Sequence, residues 1–254
     1  MTETIRLERL SDDHSRLTLA RPARNNALRM EELKALSEIT TLLLKQPPRV
    51  LSIVAEGSSF GVGGDIQSFG EALEQGVMND WLSEAIGYFN VAISGLRALD
   101  TAIVAGIHGP VAGGTLGLVW VSDHVIAADN LKLNLAYAKL GGSPDGGTSW
   151  FLPRLVNPLR AFELFTLTPT LNAEQACSWG LVNKVVPAKV LLTAVEDVVN
   201  QWLAVPPESL KNFKRLLRTS GNSTLQSHLQ NELEGFLKAG QQPEFSARVK
   251  AFLG

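Results

Sequence analysis

Apolar residues run almost without a break through 50–55 (VLSIVA) and 101–107 (TAIVAGI), and each run leads into a glycine-rich stretch. Runs this short and continuous predict strands buried on both faces, unlike the alternating strands of a half-wet sheet. Between them the period changes. EELKALSEITTLLLK places Leu33, Leu36, Thr40 and Leu43 on one face of a helix, and NDWLSEAIGYFNVAISGLRAL carries a stripe through Trp81, Ile86, Phe89 and Ile93. Shorter strands are predicted at 5–10 and 16–20, around the turn SDDHS, and in DHVIAAD, LKLNL and LVNKVV. From Ser149 onward the pattern is mostly helical, and VPP at 205–207 interrupts it. Strands that alternate with helices predict an α/β fold with a sheet covered by helices. The unit of apolar strand, glycine-rich loop and helix occurs twice, at 50–75 and 101–122, which predicts a repeated βα element.

Composition narrows the class. A chain of 254 residues suits one large domain or a domain with a small subdomain. Apolar residues make up 45% and charged residues 19%, as in a globular protein. The formal charge of -2 offers no global field for nucleic acid or an acidic membrane, so neither is an expected partner. No apolar run reaches the roughly 20 residues of a membrane span, and MTETIRLERL lacks the apolar core of a secretion signal. The single cysteine, Cys177, excludes an internal disulfide and fits a reducing, cytoplasmic setting; it reads as a small buried residue. Histidines 14, 108, 124 and 228 are scattered, so no metal site is expected.

The glycine stretches carry the chemistry. GPVAGGTLG (109–117) lacks the Gly-Lys-Ser/Thr of a phosphate-binding Walker loop, and neither stretch has the spacing of a dinucleotide fingerprint. A helix N-terminus nonetheless leaves backbone N–H groups free, with the helix dipole behind them, and glycine lets a ligand approach. GSSFGVGGDI (57–66) also follows a buried strand. Two such loops at neighbouring strand ends would offer one N–H each to a single oxygen. Losing one donor of such an oxyanion hole typically costs ~3 kcal/mol of transition-state stabilisation. Tight packing of helix on strand is the competing reading of either loop alone.

Five segments together carry a resemblance: RPARNNAL (21–28), SSFGVGGDI (58–66), IHGPVAGGTLGL (107–118), LGGSPDGGTSWFLPRLV (140–156) and LTPTLNAEQACSWGLVNKVVP (167–187). In this order and spacing they resemble the signatures of the crotonase superfamily, the enoyl-CoA hydratase/isomerase family. The resemblance implies a spiral of repeated ββα units over 1–190 that holds an acyl-CoA thioester. It further implies a helical segment over 191–254 for assembly and active-site cover, in a homotrimer or dimer of trimers. Coenzyme A would enter as part of the substrate, with no separate cofactor. The two oxyanion donors fall on Gly64 and Gly114. Two departures stand nearby: Thr115 replaces the usual third glycine, and Val62 the usual alanine. Neither removes a backbone donor, though Val62 narrows the pocket.

Hydratases of the family resemble one another in carrying two glutamates, and their positions here are Gly117 and Tyr137. A two-carboxylate hydration is therefore disfavoured. Asp145, in SPDGGTSW, matches the place where isomerase branches and an aryl-CoA dehalogenase branch carry a working aspartate. Read without the resemblance, Ser-Pro-Asp-Gly is a turn. A partly buried Asp145 would have a raised pKa and could take a proton from one carbon and return it to another. That favours an isomerase acting through an enolate. A hydratase using Asp145 and Tyr137, and a non-catalytic CoA-binding homologue, are the alternatives. Dehalogenation ranks third, because the matching histidine position is Asn90 and the matching indole position is Tyr137. Arg24 matches a position whose basic side chain approaches the CoA phosphates. Asp65 and Ile66 would flank the adenine-binding turn, where Asp65 reads equally as a helix cap. His108 reads as structural. Trp81, Phe89, Tyr137 and Trp150 are candidates for the acyl pocket or simply core.

Overall fold

The computed structural model describes residues 3–254. A hairpin of β1 (Ile5–Arg9) and β2 (His14–Leu19) opens the chain, followed by α1 (Met30–Lys45) and β3 (Val50–Ala55). Two helices, α2 (Ile66–Glu74) and α3 (Met78–Ala98), lead to β4 (Ala102–Ile107), β5 (Pro110–Ala112) and the short α4 (Leu116–Trp120). Next come β6 (His124–Ala128), β7 (Lys132–Asn134), α5 (Thr148–Leu155), α6 (Pro158–Thr166), β8 (Leu171–Asn172), α7 (Ala173–Ser178) and β9 (Lys184–Val186). The chain finishes in helices α8 (Leu191–Leu203), α9 (Pro207–Ser220), α10 (Leu225–Gly240) and α11 (Pro243–Leu253).

The main sheet runs β1-β2-β3-β4-β6-β9, parallel from β2 onward. A second sheet, β5-β7-β8, stands beside it. The main strands advance in one direction with the chain, so each helical excursion returns one strand further along and the backbone winds as a spiral. The continuous apolar strands follow from two covered faces. Along β3, Leu51 and Ile53 enter one core cluster while Val50 and Val54 enter another. Along β4, Ile103, Ala105 and Ile107 face the first and Val104 the second. Side chains alternate across a strand, so a run read as uniformly apolar feeds two cores.

Helices α1 and α3 seal the first cluster. Leu33, Leu36, Thr40 and Leu43 are all buried, as the helical period predicts. Phe89 and Ile93 of the predicted α3 stripe are buried, together with Ala85, Ala92 and Leu96, while Trp81 and Ile86 are only half-buried. Those two turn toward the cleft described below. Helix α8 closes the second face through Leu191, Val195 and Val199. It sits so close to β4 that a Cβ at Gly106 would meet Val195 Cγ2 at 2.7 Å. The helical segment expected from residue 191 thus begins with a helix built into the core. Among the described residues no helix is long and apolar enough to cross a membrane.

Candidate active site

Strands β3 and β4 are parallel neighbours, so the loops that follow them leave the same sheet edge side by side. Backbone hydrogen bonds then stitch the two loops together: the Phe60 amide donates to the His108 carbonyl at 2.9 Å, and the Ala112 amide to the Gly61 carbonyl at 2.9 Å. The buried Thr115 hydroxyl lies 2.7 Å from the carbonyls of both Gly61 and Ala112. The departure from a third glycine therefore adds a cross-loop tie. His108 is structural, as expected. Its Nε2 lies 3.0 Å from the Gly57 carbonyl, and burial keeps its pKa below the ordinary histidine value.

The RPARNNAL segment fixes the first loop from beneath. The Leu28 amide donates to the Gly63 carbonyl at 2.8 Å and the Asp65 amide to the Leu28 carbonyl at 3.0 Å. This bridge leaves the N–H of Gly64 unused by Leu28. Asn26 is buried and gives its amide group to the carbonyls of Glu56 and Ser59 at 2.9 and 2.8 Å. Asp65 caps α2 through the Gln67 amide at 3.0 Å and pairs with Arg21 at 2.7 Å. Burial pushes the Asp65 carboxyl up, but Arg21, the Gln67 amide and Arg24 outweigh it and leave it below the ordinary range. Arg24 itself lies 3.7 Å from Asp65 and donates to Gln67 at 2.5 Å, with nearly half its side chain exposed. Ile66, exposed, opens α2 beside them. Arg21 and Asn26 do structural work that the motif contained and residue-by-residue reading passed over.

Gly64 and Gly114 face one cleft, together with Trp81, Phe89 and Asp145. Its free space is about 40 Å³, small beside an ordinary ligand pocket of roughly 300 Å³ or more. Phe69 accounts for part of that. Its ring would lie 2.8 Å from a Cβ at Gly64, and it meets Trp81 edge-on at 5.1 Å between centroids. Trp81 also borders a groove of about 320 Å³ lined by Arg21, Arg29, Asp65 and Gln67. A further groove of about 400 Å³, between Arg49, Asp100 and Lys211, contains none of these residues.

Asp145 reaches the cleft because of Gly117. A Cβ at Gly117 would sit 2.4 Å from the Gly146 carbonyl oxygen. The segment after Asp145 thus occupies the space a glutamate at 117 would need. Gly146, at φ 55°, in turn would press a Cβ to 2.4 Å from the Phe89 ring. Both bare positions allow the 145–147 turn to drop onto α4, and a Cβ at Gly114 would lie 3.1 Å from Asp145 Oδ1. Burial raises the Asp145 pKa, and a hydrogen bond from the Tyr137 hydroxyl to Oδ1, 2.7 Å long, works against that rise. Burial and the Asp145 carboxylate hold the Tyr137 phenol protonated. Tyr137 does not line the cleft; it reaches the site through Asp145. Trp150, a candidate for pocket or core, is neither: it lies outside the cleft, exposed, with the Arg154 guanidinium 3.8 Å from its ring centroid. Among the described residues no group of three His, Cys, Asp or Glu side chains is arranged to hold a metal ion.

A fold of parallel spiral strands with two glycine loops at one edge defines a class, and comparison identifies it. The family described as Enoyl-CoA hydratase/isomerase matches residues 15–254, and the chain belongs to that family, within the crotonase superfamily. It is 29% identical to 1,2-epoxyphenylacetyl-CoA isomerase of Escherichia coli K12 over 238 residues, 93% of this chain and 90% of that one. It is 25% identical to 4-chlorobenzoyl coenzyme A dehalogenase-1 of an Arthrobacter species over 246 residues, 95% and 88% of the two chains. Among solved structures, an enoyl-CoA hydratase from Polaromonas sp. JS666 superimposes with a TM-score of 0.89 at 28% identity, covering 98% and 96%. A structure from Thermobifida fusca YX in complex with acetoacetyl-CoA superimposes with a TM-score of 0.84 at 27% identity, covering 93% and 94%. The chain is an acyl-CoA enzyme of the crotonase superfamily.

Proposed function

We propose that the chain shifts a double bond within an acyl-CoA thioester, from the 3,4 to the 2,3 position, through an enolate. The observation that carries this reading is that, among the described residues, Asp145 is the one acid lining the cleft that Gly64 and Gly114 share. The thioester oxygen accepts the two glycine amides, and α4 adds its dipole from behind Gly114. The Asp145 carboxylate takes a proton from the carbon beside the thioester. The electron pair passes into the enolate, and the same carboxyl returns the proton to the carbon two bonds away. One proton moves on one face, so one acid suffices. The charge is carried by fixed amides, so the reaction as written uses no separate cofactor.

Turnover of a 3-enoyl-CoA by the wild-type chain, and its loss in Asp145→Asn with CoA-thioester binding retained, is the expected result. An Asp145→Asn variant with full activity sinks the assignment. Hydration by an Asp145–Tyr137 pair is the second reading, favoured by their 2.7 Å contact. Loss of the conjugated absorbance of a 2-enoyl-CoA, with uptake of water, would replace the first reading by this one.

A further inference from the structure

We propose that Tyr137 is a positioning residue for Asp145: its phenol pins one carboxylate oxygen at the Gly114 wall of the cleft and is itself steered by Thr148. The proposal rests on the reading of Asp145 as the proton carrier. A lone carboxylate on a turn rotates about its Cβ–Cγ bond, and a base that rotates spends little time at the geometry of transfer. Here a closed ring of contacts prevents that. Tyr137 donates to Asp145 Oδ1 at 2.7 Å, the Tyr137 and Thr148 hydroxyls lie 3.2 Å apart, and the Thr148 amide donates to the Asp145 carbonyl at 2.9 Å. Thr148 is buried, at 1% exposure, so its hydroxyl is held by packing.

The backbone is bent to bring Tyr137 there. Ala136 takes φ 63°, a left-handed conformation unfavourable for a residue with a Cβ. Asn134, two residues earlier, is locked by donating to the carbonyls of Thr168 and Pro169 at 2.7 and 3.0 Å. A phenol that only walled a substrate pocket would need neither the bend nor the ring. Among the described residues no cation pairs with Asp145, so the hydrogen-bonded ionisable group facing it is Tyr137.

While Tyr137 donates to Oδ1, the proton taken from substrate is held on the Asp145 carboxyl and returned from it, and the carboxylate is regenerated. Tyr137 neither gains nor loses a proton in the cycle, because burial beside a carboxylate keeps it a donor.

The test is Tyr137→Phe in the full chain, which keeps the ring and removes the hydroxyl. Carbon-13 NMR titration of the aspartate carboxyls, with the Asp145 signal identified by its absence in Asp145→Asn, needs no substrate. A hydrogen bond to the charged form is lost, so the Asp145 midpoint moves up by about one pH unit or more. The acid limb of the kcat profile moves with it, kcat falls about tenfold, and KM changes by less than about twofold. An unmoved titration overturns the proposal, as does a raised KM with an unmoved acid limb, the signature of a simple pocket wall. Thr148→Val gives a smaller shift in the same direction and serves if Tyr137→Phe fails to fold; Thr148→Ser restores the wild-type profile. An inactive Asp145→Asn with an unaltered Tyr137→Phe sinks the positioning role alone, whereas a fully active Asp145→Asn sinks the reading on which it rests.

Discussion

At the scale of single residues the site is built by absence. Gly117 and Gly146 clear the room through which Asp145 comes down on Gly114, so a methyl group at 117 is felt at 145. Gly117→Ala is expected to cost about 1–3 kcal/mol of stability, the range for overpacking, because its Cβ would meet a backbone carbonyl that cannot swing away. Urea unfolding measures the loss, and turnover should fall with it; a Gly117→Ala protein of wild-type stability would contradict the packing. Asp145 gives a second prediction with a sign. Its carboxyl has a raised pKa in the folded state. The folded chain therefore holds that proton more tightly than the unfolded chain, and the contribution to stability is present below the ordinary aspartate value and lost as pH rises through the raised one. Activity runs the other way, because the base must be ionised. Asp145→Asn should thus remove activity by ~100-fold or more while leaving stability at neutral pH equal or higher, a pairing that thermal melts and single-substrate assays check together. Asp145→Asn that destabilises the chain at neutral pH would place the carboxylate in a structural role.

At the scale of elements, α9 is held to the core by charge more than by apolar contact. Lys214 is 5% exposed and donates to the Thr101 carbonyl at 2.6 Å and to Asp123 at 2.7 Å. One turn on, Arg218 donates to the carbonyls of Ala98 and Leu99 at 2.8 and 3.1 Å and pairs with Asp100 at 2.9 Å, so it satisfies the C-terminal end of α3. Two cations four residues apart share one helix face and grip the α3–β4 junction. Lys214→Ala removes the cation beside Asp123, which keeps the Ile103 amide at 2.8 Å, and is expected to cost about 2 kcal/mol. Limited proteolysis should then cut first near 205–225, and a cleavage pattern identical to wild type would show that α9 is held by something else.

At the scale of the whole molecule, the described surface keeps a row of uncovered apolar side chains. Leu225, Leu229, Leu233 and Phe236 follow one face of α10 and are 75%, 53%, 52% and 68% exposed. Such a contiguous stripe supports self-association. The expected assembly is three copies, or six as two trimers, measured by light scattering on the eluting protein; a monomer at micromolar concentration would refute it. Leu229→Glu should then lower the mass without unfolding the subunit, because that side chain contributes little to the subunit core.

Much of this molecule was legible before its fold. Continuous apolar runs announced strands covered on both faces, and the helical period found the buried stripe of α1 residue by residue. Two glycine loops after neighbouring strands foretold a shared cleft, since close approach of backbone to ligand needs residues without side chains. The family came from five segments whose order no composition supplies. What the sequence could not decide was set by contacts between segments far apart in the chain. In α3, Phe89 and Ile93 are buried as the period predicts, whereas Trp81 and Ile86 stay half-buried at the border of a cleft made by partners that periodicity does not see. Trp150, open between pocket and core in the sequence, is neither: it is exposed and lies outside the cleft. The sequence alone determined that position 117 carries no acid. Only the tertiary structure decided why: the backbone of Gly146 fills that volume, and through it Asp145 and Tyr137 come to share one hydrogen bond at the wall of the cleft.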